Sequence, residues 1–229
     1  DRHGAYGGGF EAFDKTADGF TSAKGKAYSE TELAGFFDNP ANGPLVVQER
    51  VYDHPDMSAL SGSNAVQSAR IITYGDTAGL VRPVYFLVKL LGDGNIVDNF
   101  SHGVTGNLMA FGDLEAGVLE GAVRANPSGM GLDIVTTHPK TGHAISGFQM
   151  PLWSEALELA KAAHKTLPPF KAIGWDIAIT SEGPCILEGN IWFDPPLIAP
   201  HVMANEDWSL LFGIGYRTQK AYRPMLSTG

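Results

Sequence analysis

Apolar and polar positions sort most clearly toward the C-terminal end of the chain. Trp175 to Thr180 runs apolar apart from Asp176, Ser181-Glu182-Gly183-Pro184 has turn chemistry, and Cys185 to Leu187 is apolar again. The pattern predicts two short strands joined by a turn. Upstream, Ser68 to Tyr74 reads as a strand carrying Arg70, and Pro83 to Leu91 as a second carrying Lys89. Gly92-Asp93-Gly94-Asn95 reads as a turn into a third strand, Ile96 to Phe100, and the three are expected to lie adjacent and antiparallel. Another hairpin is expected between Asn107 and Ala122. From Trp153 to His164 the apolar residues Trp153, Ala156, Leu157, Ala160 and Ala163 follow helical spacing, and Pro168-Pro169 ends the run. This helix is expected to pack beneath the C-terminal hairpin.

The N-terminal part has a different texture. Gly4, Gly7, Gly8 and Gly9 form a glycine-rich loop, and Phe10 to Phe13 alternates like a strand. Ser29-Glu30-Thr31-Glu32 is a capping box that opens a short helix with Leu33, Phe36 and Phe37 on its apolar face, stopped at Asn39-Pro40. Gly43 to Val51 reads as a buried strand that turns polar at Gln48. The expected organisation is a small lobe over residues 1–50, with its hinge at the polar turn, and a large lobe over 51–229 that includes a C-terminal tail. In the tail, Glu206 to Phe212 has the pattern of a further helix.

Composition narrows the class. At 229 residues, 44% hydrophobic and 18% charged, the chain can bury a sizeable core as one large domain or two lobes. A formal net charge of −9, from 16 basic against 25 acidic residues, argues against nucleic acid or an anionic membrane as the main partner. No apolar run approaches the roughly 20 residues a membrane span needs, since Val84 to Leu91 is short and carries Lys89. The single cysteine, Cys185, forms no internal disulfide and is expected as a small buried strand residue, which fits a reducing, cytoplasmic compartment. The chain opens at Asp1 in a glycine-rich loop, which points to further sequence upstream.

Three oxygen-bearing side chains stand out in the C-terminal hairpin. Asp176 sits in its first strand, and Glu188 and Asn190 lie two apart at the end of the second, on one face by the period of two. The hairpin lets the three meet at one edge. From spacing alone they read either as solvated strand ends or as a hard, all-oxygen donor set of the kind magnesium prefers. Arg70 and Lys89 likewise read either as surface cations or as partners for phosphate oxygens in the same cleft. The glycine loop reads as a plain hairpin loop or as a flap over phosphates, and it matches neither the Walker nor the dinucleotide pattern. His138 and His143 stand five apart across Pro139 and Gly142, a loop spacing with no third soft ligand for zinc. His164 reads as a satisfied helix-end residue.

The order of glycine-rich flap, Val47-Gln48-Glu49 hinge, strand Arg70, strand Lys89, Asp98-Asn99 turn, and Asp176 followed by Glu188-x-Asn190 resembles the ATP-grasp fold. Six blocks resemble its sugar-transfer-associated group more narrowly: Gln48 to Pro55, Arg70 to Thr73, Val97 to Gly103, His138 to Gly142, Gly147 to Trp153 and Gly174 to Thr180. The resemblance extends to about Asn190. It implies an α+β fold, with a small glycine-rich-flap lobe, a larger antiparallel-sheet lobe and nucleotide between them. Gly7, Gly8 and Gly9 would cover the phosphates, and Glu49 and Val51 would hold the adenine. Asp176, Glu188 and Asn190 would bind Mg2+, while Arg70, Lys89 and Asn99 would face the transferred phosphoryl group. The implied activity is that of an ATP- and Mg2+-dependent ligase that activates a small-molecule carboxylate for attack by an amine or sugar-linked acceptor, in cell-surface polysaccharide or sugar-conjugate biosynthesis. A kinase-like transfer to a hydroxyl and a non-catalytic nucleotide-binding domain are the alternatives. The chain departs from the group's pattern at Lys89, where Arg is usual, and at Gly106-Asn107, where paired glycines are expected. The lysine expected on a strand before the flap falls upstream of Asp1.

Overall fold

Glycine and proline punctuate the chain into short strands, and the described elements are mostly β. The structure is a computed structural model that describes residues 11–193 apart from 24, 44, 168 and 169, together with 207, 209 and 211. The chain divides into two compact units, Asp1–Val51 and Tyr52–Gly229.

In the first unit, β1 (Phe13–Thr16), β2 (Gly19–Ser22) and β3 (Ala27–Tyr28) form a three-stranded antiparallel sheet in sequence order. The helix α1 (Glu30–Asp38) begins as the capping box predicts: Ser29 Oγ accepts from the Glu32 N–H at 3.2 Å, and Glu32 accepts in return from the Ser29 N–H at 2.8 Å. Phe13 gathers Tyr28, Phe36 and Phe37 around it, with ring centroids 5.5, 6.1 and 6.5 Å away, so edge-to-face aromatic contacts supply much of this small core. The buried strand expected from Gly43 to Val51 is not formed. Val46 and Val47 are exposed and the stretch from 45 to 51 is irregular. Among the described residues it has no ladder partner, and an unpaired extended segment has nothing to hold it as a strand.

The second unit opens with α2 (Pro55–Ser61), capped by the His54 ring at one end and by left-handed Gly62 at the other. It continues through β4 (Ser68–Gly75), β5 (Val81–Leu90), β6 (Leu108–Asp113), β7 (Val118–Ala125), β8 (Leu132–Val135), α3 (Trp153–Thr166), β9 (Ala172–Thr180) and β10 (Gly183–Asn190). The seven strands form one antiparallel sheet in the order β10-β9-β4-β5-β6-β7-β8, so the C-terminal hairpin pairs back onto β4. One face, with Ile71, Phe86, Val88, Ile177 and Ile179, packs against Trp153, Ala156 and Ala160 of α3 and Met57 and Leu60 of α2. This is the layered solution for an amphipathic helix on a half-buried sheet. His164, at the end of α3, is buried between Thr73 Oγ1 at 2.7 Å and the Phe170 carbonyl at 3.0 Å, a satisfied structural role as expected.

The third strand expected at Ile96 to Phe100 is a loop. Its carbonyls at Val97 and Asn99 accept from the buried Asn107 amide, each at 2.8 Å, and β5 takes β6 as its neighbour instead. The loop ends in a tight turn with Ser101, His102 and Gly103 all at positive φ. Cys185 is exposed on β10, the edge strand of the sheet among the described residues. In the tail, Asp207, Ser209 and Leu211 are helical, and Asp207 pairs with Arg82 at 2.6 Å.

Candidate functional site

The other face of the sheet carries a row of charged side chains, and the strand register makes the row. On β4, Arg70 lies directly opposite Asp176 of β9, and Asp176 lies opposite Glu188 of β10. Directly opposed residues share a face, so all three project the same way. Glu188 reaches that face only because β10 bulges between Ile186 and Glu188. Ile186 still opposes Ile177 on the core side, Leu187 is taken up by the bulge, and Glu188 then opposes Asp176. Asn190, two further on, opposes Gly174 and stays on the same side.

Distances tie the row together. Arg70 Nε and Nη2 meet Asp176 Oδ1 and Oδ2 at 2.7 Å each, a bidentate fork. Lys89 Nζ, from β5, donates to Asp176 Oδ2 at 2.8 Å. Beyond it lies Asp98, with Oδ1 3.8 Å from Lys89 Nζ and Oδ2 anchored by the Ser68 N–H at 2.8 Å and the Ser68 hydroxyl at 2.5 Å. On the other flank Arg70 Nη2 is 3.9 Å from Glu188 Oε1, which accepts from Asn190 Nδ2 at 3.0 Å.

Burial separates the members. Asp176 is only 2% exposed, whereas the Glu188 side chain is 60% exposed. Burial works to raise the Asp176 carboxyl, but the Arg70 hydrogen bonds and the charges of Lys89 and Arg70 outweigh it and hold it below the ordinary carboxylate value. For Arg70, burial opposes the charge. Its hydrogen bond and pairing with Asp176, helped by Glu188 and Asp98, outweigh that and raise its affinity for its proton.

Of the remaining sequence-predicted residues, Asn99 sits in the loop beside this row, with its side-chain oxygen accepting from the Ser101 N–H at 3.3 Å. Glu49 is exposed and Val51 half-buried, both in the first unit. Gly7, Gly8 and Gly9 lie outside the described residues.

Several residues of the site's surroundings escaped sequence reasoning. Asp98 is the carboxylate that flanks Lys89, and its only signal was its place immediately before Asn99. Asn107 is fully buried and organises the loop that carries Asp98: besides its two bonds to carbonyls, its oxygen accepts from the Gly92 N–H at 2.8 Å and from Asn95 Nδ2 at 2.7 Å. Asp53 and Gln67 form a buried pair behind the row. The Gln67 N–H lies 3.0 Å and its Nε2 2.9 Å from the Asp53 carboxylate, and Gln67 Oε1 accepts from the Leu91 N–H at 3.0 Å. Burial is the main cause that pushes the Asp53 carboxyl up to about 7, against the Gln67 hydrogen bonds that lower it.

The His138-Pro139-Lys140-Thr141-Gly142-His143 block is structural. Lys140 Nζ donates to the Gly62 carbonyl, Thr141 Oγ1 to Leu60 and the His143 ring to Ala59, covering carbonyls that the end of α2 leaves open. His138 Nε2 pairs with the Leu91 carbonyl, and its Nδ1 is buried without a partner. A proton there would be a charge with no acceptor, and burial accordingly lowers the ring's pKa.

Whether the donors suit magnesium turns on their chemistry. Glu188 and Asn190 offer carboxylate and carboxamide oxygens, and the second Glu188 oxygen accepts no hydrogen bond among the described residues. Asp176 supplies the third hard donor in register, but both its oxygens are engaged by Arg70 and Lys89. Among the described residues no three His, Cys, Asp or Glu side chains cluster as a metal site. The donors match magnesium in kind, hard oxygens throughout, while Asp176 is held by its two cations.

The seven-stranded antiparallel sheet, the separate three-stranded sheet and the few helices make an α+β architecture. A family model described as sugar-transfer associated ATP-grasp matches residues 14–207, from β1 through the charged row to the Asp207 that pairs with Arg82. No curated protein and no solved structure matches the chain. Among the described residues no helix is long and apolar enough to cross a membrane. ATP-grasp proteins bind ATP, typically with Mg2+, and carry out ATP-dependent ligation. With the match running across both sheets, the chain belongs to the sugar-transfer-associated ATP-grasp family.

Proposed function

We propose that the charged row is the phosphate and metal end of a nucleotide site, and that the protein is an ATP- and Mg2+-dependent carboxylate ligase. The observation that carries this reading is the convergence of Glu188, Asp176, Arg70 and Lys89 from four neighbouring strands, two acids beside two cations, within 2.7–3.9 Å contacts. Two cations at one end can neutralise phosphoryl oxygens. Glu188, Asn190 and Asp176 would hold magnesium, which when bound would neutralise phosphate charge. Gly7, Gly8 and Gly9 would cover the phosphates, and Glu49 and Val51 would contact the adenine.

In this reading an oxygen of the substrate carboxylate attacks the terminal phosphorus, and the bond from that phosphorus to the ADP oxygen breaks. An amine or similar nucleophile then attacks the acyl carbon, the bond to phosphate breaks, and the nitrogen loses a proton. Arg70 and Lys89 orient and neutralise the phosphoryl group, and the Asn99 amide N–H groups add donors. Transfer of this kind asks the protein mainly for positioning and charge. The acceptor class, with a role in polysaccharide or sugar-conjugate assembly, is proposed from the family's sugar-transfer association.

The test is calorimetric titration of a non-hydrolysable ATP analogue, with and without Mg2+, into the wild type and the Glu188→Ala/Asn190→Ala double variant. Magnesium-dependent binding that the double variant loses supports the site. Carboxylic acids are then screened for ADP release with hydroxylamine present: a hydroxamate supports the ligase, and a stable phosphorylated alcohol would replace it with a phosphotransferase. No binding of the analogue under either condition overturns the reading.

A further inference from the structure

We infer that the site closes on itself in the absence of ligand and that metal and polyphosphate can enter only as mutually dependent guests, exchanging for the ion pairs of Asp176. The inference rests on the nucleotide site proposed above and assigns its order of loading.

The argument is one of occupied lone pairs and charge. Asp176 is buried, and three N–H···O contacts of 2.7–2.8 Å from Arg70 and Lys89 take both of its oxygens. A divalent ion arriving alone must displace two cations already paired at close range, and would leave them facing a third positive charge. A polyphosphate arriving alone meets the opposite obstacle. Asp98, Asp176 and Glu188 set three carboxylates against Arg70 and Lys89, so the row is negative before any ligand binds. Arg70 and Lys89 can turn to phosphate oxygens only by leaving Asp176 unpaired in a buried position, which is strongly unfavourable.

Together the two ligands relieve each other. Phosphate oxygens take Arg70 and Lys89, the freed Asp176 oxygens take the metal, and every buried charge keeps a partner. The coupling is reciprocal by linkage, so the metal must favour polyphosphate by the same factor as polyphosphate favours the metal. Asp98, anchored by Ser68 and 3.8 Å from Lys89, offers that lysine a second carboxylate as it gives up Asp176.

The test uses Mn2+ alone as the probe, its binding followed by electron paramagnetic resonance in the absence of nucleotide, on the wild type, Lys89→Met and Arg70→Met. Each substitution removes a competitor for Asp176, and Mn2+ affinity is expected to rise by about tenfold or more, while affinity for the ATP analogue with Mg2+ falls. The gain should vanish when Asp176→Asn is added. A purely structural ion pair would instead lower both affinities. Equal Mn2+ affinity in wild type and variants, with the analogue still binding the wild type in a Mg2+-dependent way, overturns this inference and leaves the proposed function standing. Failure of the analogue to bind the wild type removes the proposed function, and the Mn2+ series still decides whether Asp176 is held shut. If Lys89→Met does not fold, Arg70→Met, at a partly exposed side chain, carries the comparison.

Discussion

Arg70 and Asp176 stand 106 positions apart in the chain and directly opposite each other in the sheet, joined by two parallel contacts of 2.7 Å. The pairing makes the site's charge balance part of the fold's stability. Asp176→Ala leaves Arg70 and Lys89 without their shared carboxylate and is expected to cost about 3 kcal/mol, read as a lower urea midpoint at unchanged slope. Because the folded carboxyl is held below its ordinary value of 3.8, its stabilisation is complete above that value and is lost as pH falls through the lower folded value. The stability gap between wild type and Asp176→Asn should therefore be widest near neutrality and close in acid.

Asp53 predicts the opposite slope. Its carboxyl is pushed up to about 7 from 3.8, so the folded state holds a proton that the unfolded chain releases. That contribution is complete below the ordinary carboxylate value and disappears as pH rises through about 7. Relative to Asp53→Asn, the wild type should lose about 1.4 kcal/mol per pH unit across this window, measured by denaturation at several pH values. A flat difference would mean that the Gln67 hydrogen bonds keep Asp53 ionised throughout.

Asn107 tests the loop that carries Asp98. Its amide serves four partners from a fully buried position, and Asn107→Asp would set a carboxylate oxygen against the Val97 and Asn99 carbonyls. The expected result is faster amide hydrogen exchange over residues 95–105 and a loss of about 2–3 kcal/mol, with exchange in β9 unchanged. Uniformly faster exchange across the sheet would mean that the loop is not an independent unit.

Local chemistry in the sequence was enough for some elements. The Ser29 and Glu32 pair starts α1, the spacing of Trp153, Ala156 and Ala160 makes α3, and the turn at Ser181–Gly183 makes the last hairpin. What escaped depends on pairings that the local pattern does not carry, from strand order to single side-chain bonds. Cys185 is apolar in an apolar run, yet exposed on β10, which has no strand beyond it among the described residues. Asp98 looked like a turn residue until Ser68, 30 positions earlier, came beside it. The Ile96–Phe100 run had strand composition, and the side chain of Asn107 took two of its carbonyls. In the site, Arg70, Lys89 and Asp176 were readable as strand residues of interest, whereas their mutual contacts follow from β4 lying between β9 and β5.

The bulge at Leu187 imposes a parity rule on changes in chain length. Glu188 and Asn190 share a face with Asp176 because one residue of β10 goes uncounted in the ladder. Deleting Leu187 would only straighten the ladder and leave Glu188 opposite Asp176, whereas adding one residue beside it, with the bulge still absorbing one, would put Glu188 opposite Trp175 and turn both polar side chains toward α3. An insertion of one residue there would erase the outer half of the charged row while leaving its composition intact, so inheritance of this site is a matter of counting as much as of residue identity.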